Sequence, residues 1–255
     1  DRTLVEQNYG YTSEKAKTTI QRLEHIARWT TIAELKTPPT SQIRAGDVEM
    51  EIIPDDEEVS QFKEMRLEYQ CKNGEWEQPG LKIKITNKSK KPLYFAVVDL
   101  GDLFDVSNLL ETGGCVRLAP GEEEWVPNAD GLTTEVKDEL WEQGITEYKD
   151  IFKLIVSTTE FDAQLMTQEE LGVPRPQKRD TPSPNQNTLD RLMHRVQSRA
   201  AKPKSQGSLN DWYTEEVAIT TVRPLDAISV SSTQQKELRA GVKLQKHPSL
   251  QAKVR

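Results

Sequence analysis

The spacing of apolar residues near the start of the chain predicts one long amphipathic helix. Apolar side chains recur there every three or four positions, at Ile20, Leu23, Ala27, Ile26, Trp29 and Ala33. Thr12 and Ser13 are residue types that cap helix N-termini, and Pro38 and Pro39 cannot continue a helix. We therefore predict a helix over residues 12–35.

From Asp47 onward the period of the pattern changes to two. Apolar and charged side chains alternate around Met50, Tyr69 and Ile83, which predicts half-buried strands. Residues 93–100 are apolar on both sides and predict a central strand. Shorter strands are predicted at 104–110, 115–118, 123–126 and 151–157, with a helical or irregular insertion at 134–148.

The segments between the strands predict an antiparallel fold. They contain turn formers such as Asn73-Gly74 and Pro120-Gly121, and strands do not alternate with helices. We expect a mainly β protein: an antiparallel β-sandwich over 47–171, with an N-terminal helix and a short C-terminal helix (α+β overall). Residues 1–46 would be a helical connector to an upstream domain.

The last third of the chain differs in composition. Residues 172–187 hold four prolines, so we expect 172–208 to be a Pro-rich linker. Thr188 would cap a short docking helix inside it, whose apolar stripe is Leu189, Leu192, Met193 and Val196. Residues 209–224 predict a strand that returns to the sheet edge. Residues 225–255 predict a flexible basic tail.

The amino-acid composition excludes some classes of protein. The 255 residues have a mean hydropathy of −0.70 and no apolar run near the ~18 residues that a bilayer requires, so a transmembrane protein is excluded. Two cysteines cannot build a disulfide scaffold, and a cytoplasmic setting is expected. Because the chain starts at Asp1 and stops at Arg255 within a basic stretch, we expect it to be a piece of a longer polypeptide.

Charge is distributed unevenly along the chain. Residues 172–208 carry eight basic and two acidic residues, and residues 225–255 carry six and two. The net charge of the whole chain is −7, so the predicted body is strongly acidic. An acidic body argues against nucleic-acid binding by the folded face, and the basic extensions are expected to be solvated or to lie against it.

Cys115 is the strongest candidate for a catalytic residue, and it fits poorly. Caspase-type peptidases carry the nucleophile in a Q-A-C-x-G context with a histidine about 50 residues upstream. Here Gly113-Gly114 precede Cys115, Arg117 replaces the glycine, and the nearest upstream histidine is His25. We interpret Cys115 and Cys71 as strand residues, and His25 as a surface or packing residue.

The sequence lacks the residues that metal, phosphate and serine-hydrolase sites require. Zinc requires about four close ligands, whereas the remaining histidines, His194 and His247, are isolated. The acidic runs 55–58 and 122–124 lack the spacing of a calcium loop. Phosphate-binding glycine motifs and the G-x-S-x-G elbow are absent from the sequence. We expect no catalytic, cofactor or metal residues in this chain.

Several longer stretches resemble a known family. They cover most of 4–224 and are similar to the C-terminal accessory regions of cyanobacterial multidomain caspase-like cysteine peptidases. The stretches are 22–29, 32–35, 66–70, 81–87, 92–94, 118–122, 138–141, 144–150 and 188–194. The resemblance implies an accessory β-sandwich that follows a caspase-like α/β domain with a His/Cys dyad. No catalytic residue of that domain matches a position here.

The resemblance gives a first hypothesis of function. The chain would be a non-catalytic regulatory or binding module, without enzymatic activity of its own, that docks on the caspase-like domain or on other proteins. The resemblance also implies cleavage after basic residues, which could release or rearrange it. Two alternatives remain: a cysteine-dependent hydrolase that uses Cys115, and a substrate or effector cut by a separate protease.

Overall fold

The chain folds as a mainly β protein with an N-terminal helix, which confirms the predicted fold class. The computed structural model describes residues 10–55, 63–110, 114–171, 189 and 211–225. The helices are α1 (Ser13–Ala33) and α2 (Asp138–Trp141). The strands are β1 (Val48–Pro54), β2 (Glu64–Glu68), β3 (Gln70–Lys72), β4 (Glu75–Glu77), β5 (Gly80–Asn87), β6 (Leu93–Gly101), β7 (Val106–Asn108), β8 (Val116–Leu118), β9 (Glu123–Val126), β10 (Leu132–Thr133), β11 (Glu147–Ser157) and β12 (Trp212–Val222).

The strands form two larger sheets and a small hairpin. In the four-stranded sheet, β5 pairs with β1 on one side and with β9 and β10 on the other. The six-stranded sheet has the order β2-β12-β11-β6, and β6 pairs next with β7 and β8. Strands β3 and β4 pair only with each other among the described residues.

Alternation along the strands builds the core between these sheets. On β5, Leu81, Ile83 and Ile85 are buried, and the lysines between them stay partly exposed. Strand β6 is buried on both faces from Phe95 to Val98, as its unbroken apolar run predicts. Residues of both sheets belong to one hydrophobic cluster. Each fully buried Leu, Ile or Phe contributes roughly 1.5–3 kcal/mol.

The last described strand does not lie where the sequence predicted. β12 was expected at the sheet edge, but it lies inside the six-stranded sheet, between β11 and β2. It pairs with β11 along its full length and is parallel to β2. The sheet is therefore mixed rather than purely antiparallel, and residues 212–222 are part of the sandwich. Val217 and Ile219 on one face of β12 are buried, and the added strand β2, which pairs along its other side, takes the edge position.

Two further strand boundaries differ from the prediction. The strand expected through Cys71 breaks after Glu68, and the chain turns at Asn73 and Gly74, whose φ angles are 54° and 86°. Strand β11 starts at Glu147 instead of Ile151, so the predicted insertion contains only the short α2. Charged residues among the first positions of β11 hid the alternation that marks a strand.

Some predictions concern residues outside the described ranges. These are the linker over 172–208, apart from Leu189, and the tail over 226–255. Leu189 is fully buried and belongs to the main hydrophobic cluster. The other three residues of that stripe, Leu192, Met193 and Val196, are not described.

Candidate functional site

Helix α1 divides into an exposed half and a docked half. Thr12 caps its start by accepting a hydrogen bond from the Lys15 amide, at 3.3 Å. Residues 11–24 are exposed or half-buried, and Ile20 and Leu23 are 51% and 60% exposed. The buried residues of the helix are His25 and Ile32. The first half of α1 thus presents an apolar pair to its surroundings.

The C-terminal end of α1 is attached to the six-stranded sheet by hydrogen bonds. Nζ of Lys153, a residue that is 1% exposed, donates to the Ala33 carbonyl at 2.5 Å and to Glu216 Oε2 at 2.7 Å. Thr214 Oγ1 donates to the Leu35 carbonyl at 3.2 Å. A positive charge at a helix C-terminus is favourable because the terminal carbonyls carry partial negative charge. Strands β11 and β12 therefore fix the end of α1.

The middle of α1 is held by the loop between β6 and β7, residues 101–106, which we call the Phe104 loop. Its Phe104 carbonyl accepts hydrogen bonds from His25 Nε2 at 2.9 Å and Gln168 Nε2 at 2.5 Å. The Phe104 ring packs edge-on against Trp29, with centroids 5.6 Å apart. Phe104 has φ of 63°, a backbone conformation that costs roughly 1–2 kcal/mol for a non-glycine residue. The contacts with α1 offset that cost.

Four aspartates gather at this end of the sheet, and we call them the carboxyl cluster. In the β6–β11 register, Asp99 lies opposite Phe152 and Asp150 lies opposite Gly101, so the two aspartates are diagonal neighbours on one face. Asp102 and Asp105 come from the Phe104 loop. Successive strand residues face opposite sides, so this face is opposite to the one where Lys153 meets α1.

The loop aspartates and their neighbours form hydrogen bonds with each other. Tyr148 Oη donates to Asp105 Oδ1 at 3.4 Å and accepts from the Leu103 amide at 3.3 Å. The Lys149 amide donates to Asp102 Oδ2 at 3.0 Å. Oδ1 of Asp99 is buried, and no donor within the described residues reaches it.

Burial of the Asp99 and Asp150 carboxyls favours their protonated forms. Burial, and then the charge of Asp99, raises the pKa of Asp150 to about 9. Burial, and then the charge of Asp105, raises the pKa of Asp99 to about 7. Burial also raises the pKa of the Tyr148 hydroxyl, and the Asp105 carboxylate raises it further. Near neutral pH the pair Asp99 and Asp150 therefore retains protons that exposed carboxyls would have lost.

The described residues weighed for catalysis lie on separate elements of the fold. Cys115 is partly buried, packs against the main hydrophobic cluster and precedes β8. Cys71 is exposed on the β3–β4 hairpin, not on a half-buried strand as predicted, because β2 ends before it. His25 donates from Nε2 to a carbonyl, which fixes it as a packing residue within this interface. His194 and His247 lie outside the described ranges.

The acidic runs take part in turns. Glu122 Oε2 accepts from the Ala119 amide at 2.6 Å, and Glu123 lies 3.9 Å from Lys84 Nζ. Of the run 55–58, only Asp55 is described. Among the described residues, no three His, Cys, Asp or Glu side chains are arranged to hold a metal ion, and no helix is long and apolar enough to span a membrane.

An open groove of about 470 Å³ lies between the end of β1 and the edge strand β2. Its charged residues are engaged with neighbours: Arg66 contacts Glu147 at 2.9 Å, and Lys72 contacts Glu77 at 3.6 Å. These pairings leave the groove without a strong field of one sign, so it offers little that would select a charged ligand.

Sequence reasoning missed the residues that organise this region. Asp99 and Lys153 each interrupt an apolar run that was predicted to be a buried strand. A charged residue inside such a run is a signal of a buried polar contact, because an unpaired charge is expensive to bury. That signal marks the two positions, but it does not say which partners they meet.

Comparisons with known proteins do not assign a family. No family model matches the chain, and no curated protein matches it. The ASH/PapD-like domain 7 of human CEP192 aligns with a TM-score of 0.28 and 7% identity, over 75% of this chain and 94% of that one. A crustacean hemolymph prophenoloxidase aligns with a TM-score of 0.25 and 10% identity, over 78% of this chain and 38% of that one.

Proposed function

We propose that the chain is a non-catalytic binding and regulatory module of a caspase-like protease polypeptide, and that α1 is its docking element. The observation that supports docking is the contrast within α1. Its second half is buried against the sandwich, whereas Ile20 and Leu23 of its first half remain largely exposed, one turn apart. Such a pair on a fixed helix suits a partner that supplies an apolar groove.

The assignment of the partner rests on the sequence resemblance. The docked surface would belong to a caspase-like catalytic domain encoded upstream in the same polypeptide. Cleavage after basic residues in the Arg- and Lys-rich extensions would then release or rearrange the module. The cytoplasm is the proposed location.

Site-specific photo-crosslinking in the full-length polypeptide tests this function. A photoreactive amino acid is placed at position 20 or 23, and a matched control carries it at Lys90, which is exposed on the turn between β5 and β6. We expect crosslinks from 20 and 23, mapped by mass spectrometry, to reach the caspase-like domain, and those from 90 to be few.

Two outcomes would overturn the proposal. The reading frame upstream of Asp1 could encode no caspase-like domain, which would remove the proposed partner. Alternatively, positions 20 and 23 could crosslink no more than position 90, which would remove α1 as the docking element.

A further inference from the structure

The Phe104 loop connects two features that lie on opposite faces of one sheet. On one side, Phe104 holds His25 and Trp29 of α1 through a hydrogen bond and a ring contact. On the other side, Asp102 and Asp105 of the same short loop belong to the carboxyl cluster. A movement of this loop that exposes Asp99 and Asp150 to more water would therefore also disturb the contacts with α1.

We propose that the Phe104 loop is a proton-dependent switch: it keeps the second half of α1 docked while Asp99 and Asp150 are protonated, and it loosens α1 when this pair ionises. The switch is a property of the sandwich itself. Its role in partner binding rests on the proposed function, but its existence does not.

The first argument is that the cluster has no adequate counter-charge. Lys137, on the segment before α2, is the cation that lowers the pKa of Asp150, and it is the weakest of the influences on that group. Lys137 is also engaged in an ion pair with Glu170. Lys149 acts on Asp102 chiefly through its backbone amide. The repulsion between the carboxylates is therefore only weakly compensated by the cations among the described residues.

The remaining neighbours of the pair carry no positive charge. On β7, Ser107 lies opposite Asp99, and on β12, Ile219 lies opposite Asp150. Tyr148 directs its hydroxyl to Asp105 rather than to the pair. When the second carboxyl of the pair ionises, the repulsion between the two carboxylates is relieved only if water or new hydrogen-bond donors reach them.

The second argument is that the loop is the element best placed to move. The pairing of β6 with β11 includes Asp99 and ends at Gly101 and Asp150. Shifting either strand would break this ladder of backbone hydrogen bonds. The Phe104 loop contains a residue with positive φ, and its conformation depends on contacts with α1 and Gln168. Opening the loop admits water to the cluster and releases the backbone strain at Phe104.

Hydrogen exchange measured as protection factors tests the switch, because dividing by the intrinsic rate removes the ordinary pH dependence of exchange. We expect protection in residues 25–33 and 101–106 to fall between about pH 6 and about pH 9, by up to roughly tenfold per pH unit for each of the two carboxyls that releases its proton. Protection in β5 should change little. In Asp150→Asn the part of the fall above about pH 7 should be lost, because only Asp99 still titrates there. In the control Asp130→Asn, an exposed turn residue, the whole fall should persist.

A second measurement uses the unaltered protein, so its result does not depend on whether a variant folds. The infrared spectrum near neutral pH should contain the carbonyl stretch of a buried protonated carboxylic acid, and this band should disappear as α1 loses protection. Absence of the band at neutral pH, or constant protection of α1 across the range, would overturn the switch. Neither result bears on the crosslinks from positions 20 and 23 measured at one pH, so the two proposals fail separately.

Discussion

Nζ of Lys153 lies 2.5 Å from the carbonyl oxygen of Ala33, so a buried lysine of the central strand β11 closes the end of the N-terminal helix. Replacing the ammonium with a thioether in Lys153→Met keeps most of the volume but removes a charge-assisted hydrogen bond. We expect the free energy of unfolding to fall by about 2 kcal/mol. Urea denaturation measures it.

Lys88→Met is the matched control for that substitution. Lys88 also forms an ion pair, with Glu49 at 2.6 Å, but its side chain is 46% exposed. Its loss should change stability by less than about 1 kcal/mol. Equal effects of the two substitutions would contradict the role assigned to Lys153.

Trp29 contributes to α1 docking through its ring rather than its N–H group. Its Nε1 is buried, and no acceptor within the described residues reaches it. Trp29→Phe removes this unsatisfied donor and keeps an aromatic contact with Phe104, so we expect a loss of less than about 1.5 kcal/mol. Trp29→Ala should cost about 3 kcal/mol or more. Thermal denaturation of both variants checks the order, and a larger loss in the Phe variant would refute it.

Gly101 is required by the crowding beneath the Phe104 loop. A Cβ at this position would meet Asp105 Oδ1 and the Tyr148 hydroxyl. We expect Gly101→Ala to lower the free energy of unfolding by about 1–3 kcal/mol. At Gly46 a Cβ would meet nothing within 4 Å, so Gly46→Ala should be neutral or slightly stabilising. If both variants have the same melting temperature as the wild type, the packing of the Phe104 loop against Gly101 is incorrect.

The stability of the fold should decrease as pH rises, because the pKa values of Asp99 and Asp150 are higher in the folded than in the unfolded chain. The stabilising contribution is complete below about pH 4 and is lost as pH passes through about 7 and about 9. Each group adds a slope of at most about 1.4 kcal/mol per pH unit. Denaturant titrations across this range should show a flatter dependence for Asp150→Asn, and an unchanged slope would exclude Asp150 as the source.

The two cysteines should differ in reactivity. Cys71 is exposed and Cys115 packs against the core. In single-cysteine proteins made by Cys115→Ser and Cys71→Ser, iodoacetamide should modify Cys71 readily and Cys115 slowly until denaturant is added. An unusually fast reaction of Cys115 in the native protein would indicate an activated thiolate, and it would favour the alternative of a cysteine-dependent hydrolase.

Local patterns predicted the elements of this fold better than their arrangement. The spacing around Ile83 and the apolar run containing Phe95 predicted buried strands, and both are found. The place of β12 could not be predicted in the same way, since alternation gives a strand its faces but not its neighbours. The contact between His25 and Phe104 was equally inaccessible, because it joins residues that are 79 positions apart and depends on how α1 crosses the sheet.

The interior position of β12 affects when the six-stranded sheet can form during biosynthesis. Strand β2 leaves the ribosome early, yet its ladder partners on β12 are synthesised about 150 residues later. Until then β2 lacks the strand that it pairs with among the described residues, and contacts this distant in sequence form slowly. In a nascent chain that stalls before position 212, β2 and β11 would lack the strand that pairs with both of them. The six-stranded sheet is therefore expected to reach its final order only after β12 has left the ribosome.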